Sequence, residues 1–378
     1  MFHDKNIQFL SKQSKSNICK LISDIKSRPC CIALGAGASA SVGLPTWNKL
    51  LSRICYCYFW QWAIEISSQK ALPQIPPSNV SIALTMGYDM YMMEKQHPDL
   101  VAELAEALKN AEYWVDGKKL SEEATKKQNE QQIKSDNFRR QIENDFMEKI
   151  MSGDLTVIAQ IIKNQVRPKD WNYLIRKSLY ASYEEDTYEL EVSPLYQQLI
   201  NFVVKCNVHN IINYNYDDTF FHSLKENGIE FVNLYNDSQT KKTNKIFYPH
   251  GYIPMKGGVL TEIVLTEDDY QNQIYKQNLW SNNIQTALFT TNTCIFVGLS
   301  LNDTNIRRLV NMCSTARQGY HYAFLPSSGS DIASVMFDSL FDSDLYRLGI
   351  RVIRYPSENN HCQLTNLFKF ICNSLPYP

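Results

Sequence analysis

Three side chains that can move protons or hold water lie just after short apolar runs. Asn215 and Asp217 follow the run at 210–213, and His250 follows the run at 246–249. A histidine titrates near neutral pH, an amide donates and accepts hydrogen bonds at once, and a carboxylate accepts them or stabilises positive charge. These residue types predict acid–base chemistry where the two runs end.

A glycine pattern marks a third run end. Gly35-x-Gly37-x-x-Ala40 follows a short apolar run and fits the dinucleotide-binding pattern with its permitted alanine. The acidic residue that binds the adenine ribose in dehydrogenases is missing, since 53–60 read Arg-Ile-Cys-Tyr-Cys-Tyr-Phe-Trp. A second turn follows at 43–45. The pattern indicates either a nucleotide loop that lies over its ligand or a plain strand-to-helix turn.

Each of these polar residues also has a purely structural interpretation. Asn215 and Asp217 could cap a helix that begins near residue 217, because Asn and Asp are favoured at that position. Ser300 and Asp303 could likewise cap the helix predicted at 303–312 instead of contacting a ligand. An isolated histidine such as His250 is more often structural, but its position at a strand end favours a functional role.

The alternation of short β-branched runs with helical stretches predicts the fold. This pattern is typical of a parallel sheet. The predicted class is α/β, with a Rossmann-like, mostly parallel sheet, helices on both faces and an inserted helical subdomain. The predicted strands are 30–34, 210–213, 246–249, 294–298, 321–325 and 351–355, and the predicted helices include 7–28, 47–67 and 303–312.

The sheet pattern is interrupted, which predicts two domains. Residues 1–84 and 195–378 form the Rossmann-like catalytic domain, and 85–194 form a helical insertion without strands. Within the insertion, 117–150 are crowded with Lys, Glu, Gln and Asn and suit a solvated segment better than a core. We expect the insertion to cover the nucleotide cleft and to provide a regulatory or assembly surface. The alternative is a solvated helical excursion with no regulatory role.

Composition limits the partners and the compartment. The 378 residues are 44% hydrophobic, and the formal net charge of −1 gives no basic surface for nucleic acid. The first residues have no long apolar run, so neither a signal peptide nor a membrane anchor is expected. The ten cysteines show no Cys-x-x-Cys spacing, which predicts reduced thiols, a cytoplasmic location and no metal site.

Four segments in order along the chain resemble the sirtuin family. They follow its Gly-Ala-Gly-x-Ser…Gly-x-Pro loop, its catalytic Thr-x-Asn-x-Asp strand end, its His-Gly pair and its late Gly-x-Ser strand end. The segments are Gly35-Ala-Gly-Ala-Ser39…Gly43-Leu-Pro45, Ile212-Asn-Tyr-Asn-Tyr-Asp217, Tyr248-Pro-His-Gly251 and Phe296-Val-Gly-Leu-Ser-Leu-Asn-Asp303.

The resemblance implies NAD as the substrate and assigns roles to the matching residues. Asn215, His250 and Asp217 are the implied catalytic residues. The implied NAD-binding residues are Gly35, Ala36, Gly37, Ser39, Pro45, Thr46, Asn215, Gly298, Ser300 and Asp303.

Departures from the family pattern narrow the expected activity. The two Cys-x-x-Cys pairs of protein deacylases are missing, Tyr214 replaces the Gln before the catalytic Asn, and 46–48 read Thr-Trp-Asn instead of Asp-Phe-Arg. These changes resemble the bacterial sirtuin-like NAD hydrolases of antiphage defence. The implied activity is an NAD glycohydrolase that depletes NAD in abortive infection. The alternatives are an NAD-dependent protein deacylase and a non-catalytic nucleotide-binding regulatory subunit.

A toxic hydrolase needs restraint, and we expect its sensor to be supplied by another protein. The resemblance implies homo-oligomerisation and pairing with a HerA-type ATPase or an Argonaute-like protein. Direct binding to nucleic acid or membrane is not expected.

Overall fold

The centre of the fold is a sheet of seven parallel strands. The computed structural model describes residues 7–55, 153–180, 193–238, 240–257, 261–276, 279–316 and 319–375. The strands are β1 (Cys30–Leu34), β2 (Asn210–Asn213), β3 (Val232–Leu234), β4 (Lys245–Phe247), β5 (Thr293–Val297), β6 (His321–Pro326) and β7 (Ile350–Tyr355). Their order in the sheet is β3-β4-β2-β1-β5-β6-β7, and every neighbouring pair is parallel. The predicted α/β, Rossmann-like fold is confirmed.

Two strands differ from the prediction by more than one residue at an end. β4 ends at Phe247, so Tyr248 and Pro249 lie outside the sheet, where the missing N–H of proline costs no ladder hydrogen bond. β3 was not predicted. It has only three residues at the sheet edge, too few for a recognisable alternation of apolar and polar positions.

Helices connect the strands and cover the sheet. The helices whose two ends are described are α1 (Lys12–Ser27), α2 (Ala36–Ser39), α3 (Leu155–Gln165), α4 (Pro168–Leu179), α5 (Pro194–Lys205), α6 (Thr219–Glu226), α7 (Glu267–Tyr275), α8 (Trp280–Thr291), α9 (Thr304–Met312), α10 (Ile332–Arg347) and α11 (Glu358–Asn373). Residues 47–55 are helical as well, and the remainder of the helix predicted at 47–67 lies outside the described residues.

The first helix is shorter than predicted. The sequence pattern predicted 7–28, but α1 begins at Lys12, where the Ser11 hydroxyl accepts a hydrogen bond from the Ser14 backbone N–H at 3.1 Å. A serine N-cap pairs a backbone donor that has no partner within the helix, so the cap sets the start of the helix.

Successive residues of the central strands point to opposite faces, and both faces carry a core. Phe324 of β6 packs against Phe368 of α11, with ring centroids 4.8 Å apart. Ala323, the preceding residue, belongs to the other core cluster, which includes Phe289 of α8 and Phe296 of β5. All five residues of β1 and of β5 are buried. Because both faces of the sheet are covered, the ends of the strands are the part of the sheet that a ligand can reach.

The direction of chain winding reverses at β1. The chain builds β2, β3 and β4 on one side of β1 and then β5, β6 and β7 on the other. In open α/β sheets, the crevice at such a reversal, outside the carboxyl ends of the strands, is where ligands bind. The residues that follow β1, β2, β4 and β5 are therefore placed for a site.

The chain divides into two compact units. One comprises Met1–Thr46 and Ser182–Pro378 and contains the sheet, and the other comprises Trp47–Ala181. In the described part of the second unit, the Arg53 guanidinium donates to the Ser178 carbonyl oxygen at 2.9 Å. The predicted boundaries near 84 and 195 stay a prediction.

The predictions for the insertion concern residues that are mostly outside the described part of the chain. Within 85–194, residues 153–180 and 193–194 are described, and they contain α3, α4 and the first residue of α5 with no strand. The polar stretch 117–150 and its proposed cover over the cleft lie outside the described residues. Among the described helices, none is long and apolar enough to cross a membrane.

Candidate active site

The glycine loop is packed directly against the end of β5. The Gly35 N–H donates to the Val297 carbonyl oxygen, and the Gly37 N–H donates to the Gly298 carbonyl oxygen, both at 2.9 Å. A Cβ added to Gly37 would lie 2.9 Å from the Gly298 Cα, and one added to Gly298 would lie 2.3 Å from the Ala38 nitrogen. Gly298 also has φ +70°. These glycines let two backbones touch, so the loop is fixed to β5.

This packing changes the role expected for the loop amides. Glycine loops often present backbone N–H groups to an anion, but here the Gly35 and Gly37 N–H groups donate to the carbonyl oxygens of Val297 and Gly298. Ala36, between them, is partly exposed, and Gly37 is exposed on its outer side. What remains open is the outer surface of the loop.

Asn215 is held in place by this loop. Its Nδ2 donates to the Gly35 carbonyl oxygen at 2.9 Å and to the Ser39 hydroxyl at 2.7 Å. Because a carbonyl oxygen can only accept, the Gly35 contact fixes which end of the amide is the nitrogen. The Asn215 Oδ1 acceptor is the end of the amide left for a ligand.

Asp217 faces the interior of the protein. It is 1% exposed and accepts hydrogen bonds from the Ser39 hydroxyl at 2.7 Å and from the Thr219 backbone N–H at 3.1 Å, and also from the Thr219 hydroxyl. Burial raises the pKa of Asp217, and the hydroxyl hydrogen bonds oppose that rise. Ser39 therefore connects the Asp217 carboxylate to the Asn215 amide. These contacts favour a positioning role for Asp217, and its predicted catalytic role stays a prediction.

His250 is buried with an unpaired ring nitrogen. The side chain follows β4 and is 6% exposed, and its Nε2 has no hydrogen-bond partner among the described residues. The ring meets Tyr214 and Tyr270 edge-on, with centroids 5.1 and 5.8 Å away. Burial lowers the pKa of His250, and the nearby Asp303 charge opposes that effect. At neutral pH the ring is therefore neutral and can accept a proton.

Asp303 has two roles at once. Its Oδ1 accepts the Ile306 N–H at 2.9 Å, so Asp303 is the N-cap of α9. Its Oδ2 lies 3.7 Å from the His250 Nε2, too long for a hydrogen bond but close enough for electrostatic attraction. The capping interpretation of Asp303 is confirmed, and its predicted ligand contact stays a prediction.

Pro45, Thr46 and Ser300 are the remaining predicted binding residues. Pro45 is buried, Thr46 is partly exposed, and Ser300 is exposed. The Ser300 hydroxyl accepts from the Asn302 N–H at 3.4 Å, so it does not cap α9. In the described structure no hydrogen bond links Pro45, Thr46 or Ser300 to Asn215 or His250.

Two tyrosines that sequence reasoning did not assign to the site lie against His250. The Tyr214 hydroxyl donates to Gln285 Oε1 at 2.6 Å, which ties the residue before Asn215 to α8. Tyr270 is in the first turn of α7; burial raises its pKa, and the nearby Asp303 charge raises it further. The Thr266-x-x-Asp269 capping box directly before Tyr270 was the available signal, since it fixes where α7 starts.

Part of the chain that contains this site matches a family model. Residues 209–342, about a third of the chain, match the model of the SIR2-like domain. This range contains Asn215, His250, Gly298 and Asp303 and excludes the glycine loop. The match supports a sirtuin-like domain and, with it, NAD-related activity. No curated protein matches the chain.

Metal binding was not expected. Among the described residues, no group of three or more His, Cys, Asp or Glu side chains is arranged to hold a metal ion. That the protein binds no metal therefore stays a prediction.

Proposed function

We propose that this site hydrolyses NAD at the bond between nicotinamide and ribose, giving ADP-ribose and nicotinamide. The observation that carries the proposal is the His250 Nε2, which is buried and has no hydrogen-bond partner among the described residues. Buried polar atoms in folded proteins are nearly always paired. A ribose hydroxyl or a bound water would supply the missing partner.

The surrounding residues fit such a ligand. Asn215 offers an acceptor oxygen at the end of β2, and Asp303 offers a carboxylate beside His250. The loop fixed by Gly35 and Gly37 gives a rigid wall at the end of β1. Rigid groups around a polar centre suit a reaction whose main requirement is orientation.

The proposed chemistry is the addition of water across a glycosidic bond. Cleavage passes through an oxocarbenium-like transition state, and a water oxygen bonds to the ribose carbon as the nicotinamide nitrogen leaves with the bonding electrons. His250 accepts the proton that the water loses. Asn215 Oδ1 holds the water or a ribose hydroxyl in line, and Asp303 stabilises the charged histidine that results.

The buried position of the pair supports an enzyme that is restrained at rest. His250 is 6% exposed and Asn215 is half-buried, so a dinucleotide reaches them only after local movement. We place this activity in the cytoplasm as an NAD-depleting antiviral defence. A HerA-type ATPase or an Argonaute-like protein is the proposed activator.

The test is product analysis with the full chain. The protein, alone and with its candidate partner, is incubated with NAD, and the products are separated by chromatography. We expect ADP-ribose and nicotinamide in equal amounts with no acylated peptide present. Strict dependence on an acyl-lysine peptide would indicate a deacylase. Tight NAD binding without turnover in both preparations would indicate a regulatory subunit.

A further inference from the structure

Tyr270 lies against both members of the pair formed by His250 and Asp303. Its ring meets the His250 ring edge-on, with the ring centroids 5.8 Å apart. Burial raises the pKa of Tyr270 most, and the charge of Asp303 and a side-chain hydrogen bond to Asp303 raise it further. Hydrogen bonds from a hydroxyl to a carboxylate are strong, because the acceptor is charged. The Tyr270 hydroxyl is therefore placed to hold the Asp303 carboxylate.

The backbone that leads to Tyr270 is fixed to the residues that follow β2 and β4. The Val264 N–H donates to the His250 carbonyl oxygen at 2.9 Å. The Val264 carbonyl oxygen accepts from the Tyr216 hydroxyl at 2.8 Å. Both backbone groups of Val264 are thereby paired with the segments that carry the candidate site.

The first turn of α7 is fixed as well. Thr266 and Asp269 form a capping box, in which the Thr266 hydroxyl donates to the Asp269 carboxylate at 2.7 Å. The Tyr270 N–H donates to the Thr266 carbonyl oxygen at 3.0 Å. A capping box holds the first turn of a helix in one conformation. Tyr270 is thus presented to His250 by a backbone that is held on both sides.

Asp303 supplies the charge that acts on His250. Within the described part of the chain, three titratable side chains face the His250 ring, namely Tyr214, Tyr270 and Asp303. Burial raises the pKa of both tyrosines well above the ordinary value, so both are neutral near pH 7. The Asp303 charge opposes the effect of burial on the pKa of His250. The position of this carboxylate therefore decides how strongly His250 holds a proton.

A direct hydrogen bond between Asp303 and His250 would interfere with the proposed reaction. A carboxylate can only accept, so closing onto the Nε2 would favour a proton on that nitrogen. A protonated Nε2 cannot take a proton from the attacking water. The observed separation of 3.7 Å is too long for a hydrogen bond and leaves the Nε2 able to accept.

We propose that Tyr270 is a positioning residue for the reaction proposed above, on which this inference rests: its hydroxyl donates to Asp303 and keeps that carboxylate from closing onto the His250 Nε2. Tyr270 exchanges no proton with the substrate and acts through Asp303. The same hydrogen bond weakens the pull of the Asp303 charge on the His250 proton.

The first test is an NMR titration of the full chain without NAD. Histidine is isotope-labelled, and the His250 signal is assigned by its loss in His250→Ala. Tyr270→Phe keeps the ring and removes the hydroxyl, so we expect the pKa of His250 to rise by about half a unit. Asp303→Asn should lower it. The double variant should match Asp303→Asn, because the hydroxyl acts through the carboxylate.

The second test is NAD hydrolysis as a function of pH. In Tyr270→Phe the acidic limb of kcat/KM should move to higher pH, and kcat/KM near pH 7.5 should fall about threefold, because part of His250 then carries its proton on the Nε2. A role in substrate binding alone would raise KM without moving the limb.

Tyr322→Phe is the matched control for the loss of a hydroxyl. The Tyr322 hydroxyl on β6 donates to the Asp24 carboxylate of α1 at 2.7 Å. This variant should leave both the His250 titration and the pH profile unchanged. Thermal melts close to wild type would show that each variant folds.

Two results would overturn the proposal. They are a pKa of His250 that Tyr270→Phe leaves unchanged or lowers, and a double variant whose His250 pKa lies clearly above that of Asp303→Asn. The titration needs no turnover, so it separates this proposal from the proposed function. The expected shifts in a protein that never hydrolyses NAD would support the link between Tyr270 and Asp303 and count against NAD hydrolysis.

Discussion

The two halves of the candidate site are built differently. On the β1 and β2 side, Asn215, Ser39 and Asp217 form a continuous hydrogen-bonded chain that ends on the Gly35 carbonyl. On the β4 and β5 side, His250 faces a carboxylate at 3.7 Å with an unpaired nitrogen. In the first half, the Asn215 Nδ2 and the Asp217 carboxylate are paired within the protein, and only the Asn215 Oδ1 is left for a ligand. In the second half, the His250 Nε2 has no hydrogen-bond partner among the described residues. We infer that the first half holds one ligand-facing group rigidly and that the second half carries the group that exchanges a proton.

The largest expected effect is the loss of one reacting group from each half. We expect His250→Ala and Asn215→Ala each to lower NAD turnover by about 100-fold or more, the usual contribution of a positioned acid–base group. Melting temperatures close to wild type would separate this loss from unfolding.

Matched controls for these variants lie in the same unit, on α6 and at its C-terminal end. His222→Ala removes a half-buried histidine that pairs with Asp218, and Asn227→Ala removes an exposed amide at the end of α6. Both should keep wild-type turnover. Full activity in His250→Ala or Asn215→Ala would show that the site is elsewhere.

The next effect concerns the contact between Gly298 and the glycine loop that follows β1. Gly298→Ala introduces a Cβ 2.3 Å from the Ala38 nitrogen at φ +70°, so we expect it to lower the free energy of unfolding by about 2 kcal/mol or more. Denaturant unfolding measures the change. Gly257→Ala is the control, because Gly257 has φ +55° and nothing within 4 Å of the added Cβ. Equal losses in the two variants would show that backbone strain, and not the contact with the loop, causes the effect.

The strand ends were the predictable part of the site. Apolar runs end where strands leave the core, so Gly35, Asn215, His250 and Gly298 could be placed from sequence at one edge of a parallel sheet. The contact between Asp217 and Ser39 could not be placed, because the two residues are 178 positions apart and join only when β1 and β2 pair. The ambiguity at Asp303 could not be resolved either, since one carboxylate caps α9 and also faces His250.

The fold was similarly predictable in its sheet and less so at its surface. The sequence pattern predicts six of the seven strands but misses the three-residue β3. It gives no warning that α10 turns its apolar side outward, because that orientation depends on Arg354, which comes after the helix in the chain and pairs with Asp338 and Asp342. Local patterns report which residues are apolar and leave open which partner covers them.

A smaller effect is expected for Ser39 and Asp217, which position Asn215 and do not themselves contact the substrate in the proposed mechanism. Ser39→Ala removes the hydroxyl that joins Asn215 to Asp217, and we expect about a tenfold loss of turnover from a loosened amide. Asp217→Asn should cause a similar loss, and the double variant should be no worse than the single variants, because both act through one contact. Steady-state kinetics measure these losses. Additive losses would instead indicate that Asp217 acts directly in catalysis, as the sequence analysis predicts.

The smallest effect at neutral pH concerns the charge beside His250. Burial lowers the pKa of His250 below its ordinary value of 6.5, and Asp303 raises it. Because the proton acceptor must be neutral, kcat/KM should fall as the pH drops through this pKa and stay level above it. Asp303→Asn keeps a good N-cap for α9 but removes the charge, so the acidic limb should move to lower pH by about one unit. Activity near pH 7.5 should fall only about two- to threefold, because the charged histidine formed in the reaction loses part of its stabilisation.

The control for that measurement is a cap that is remote in sequence from His250. Asp331 accepts the Ser334 N–H at the start of α10, and Asp331→Asn should leave the pH profile unchanged. A limb that moves to higher pH in Asp303→Asn, or does not move, would show that the 3.7 Å approach does not act on His250. A shift to lower pH would instead establish that the Asp303 carboxylate raises the pKa of His250. The side chain that caps α9 would then also set the proton affinity of the site.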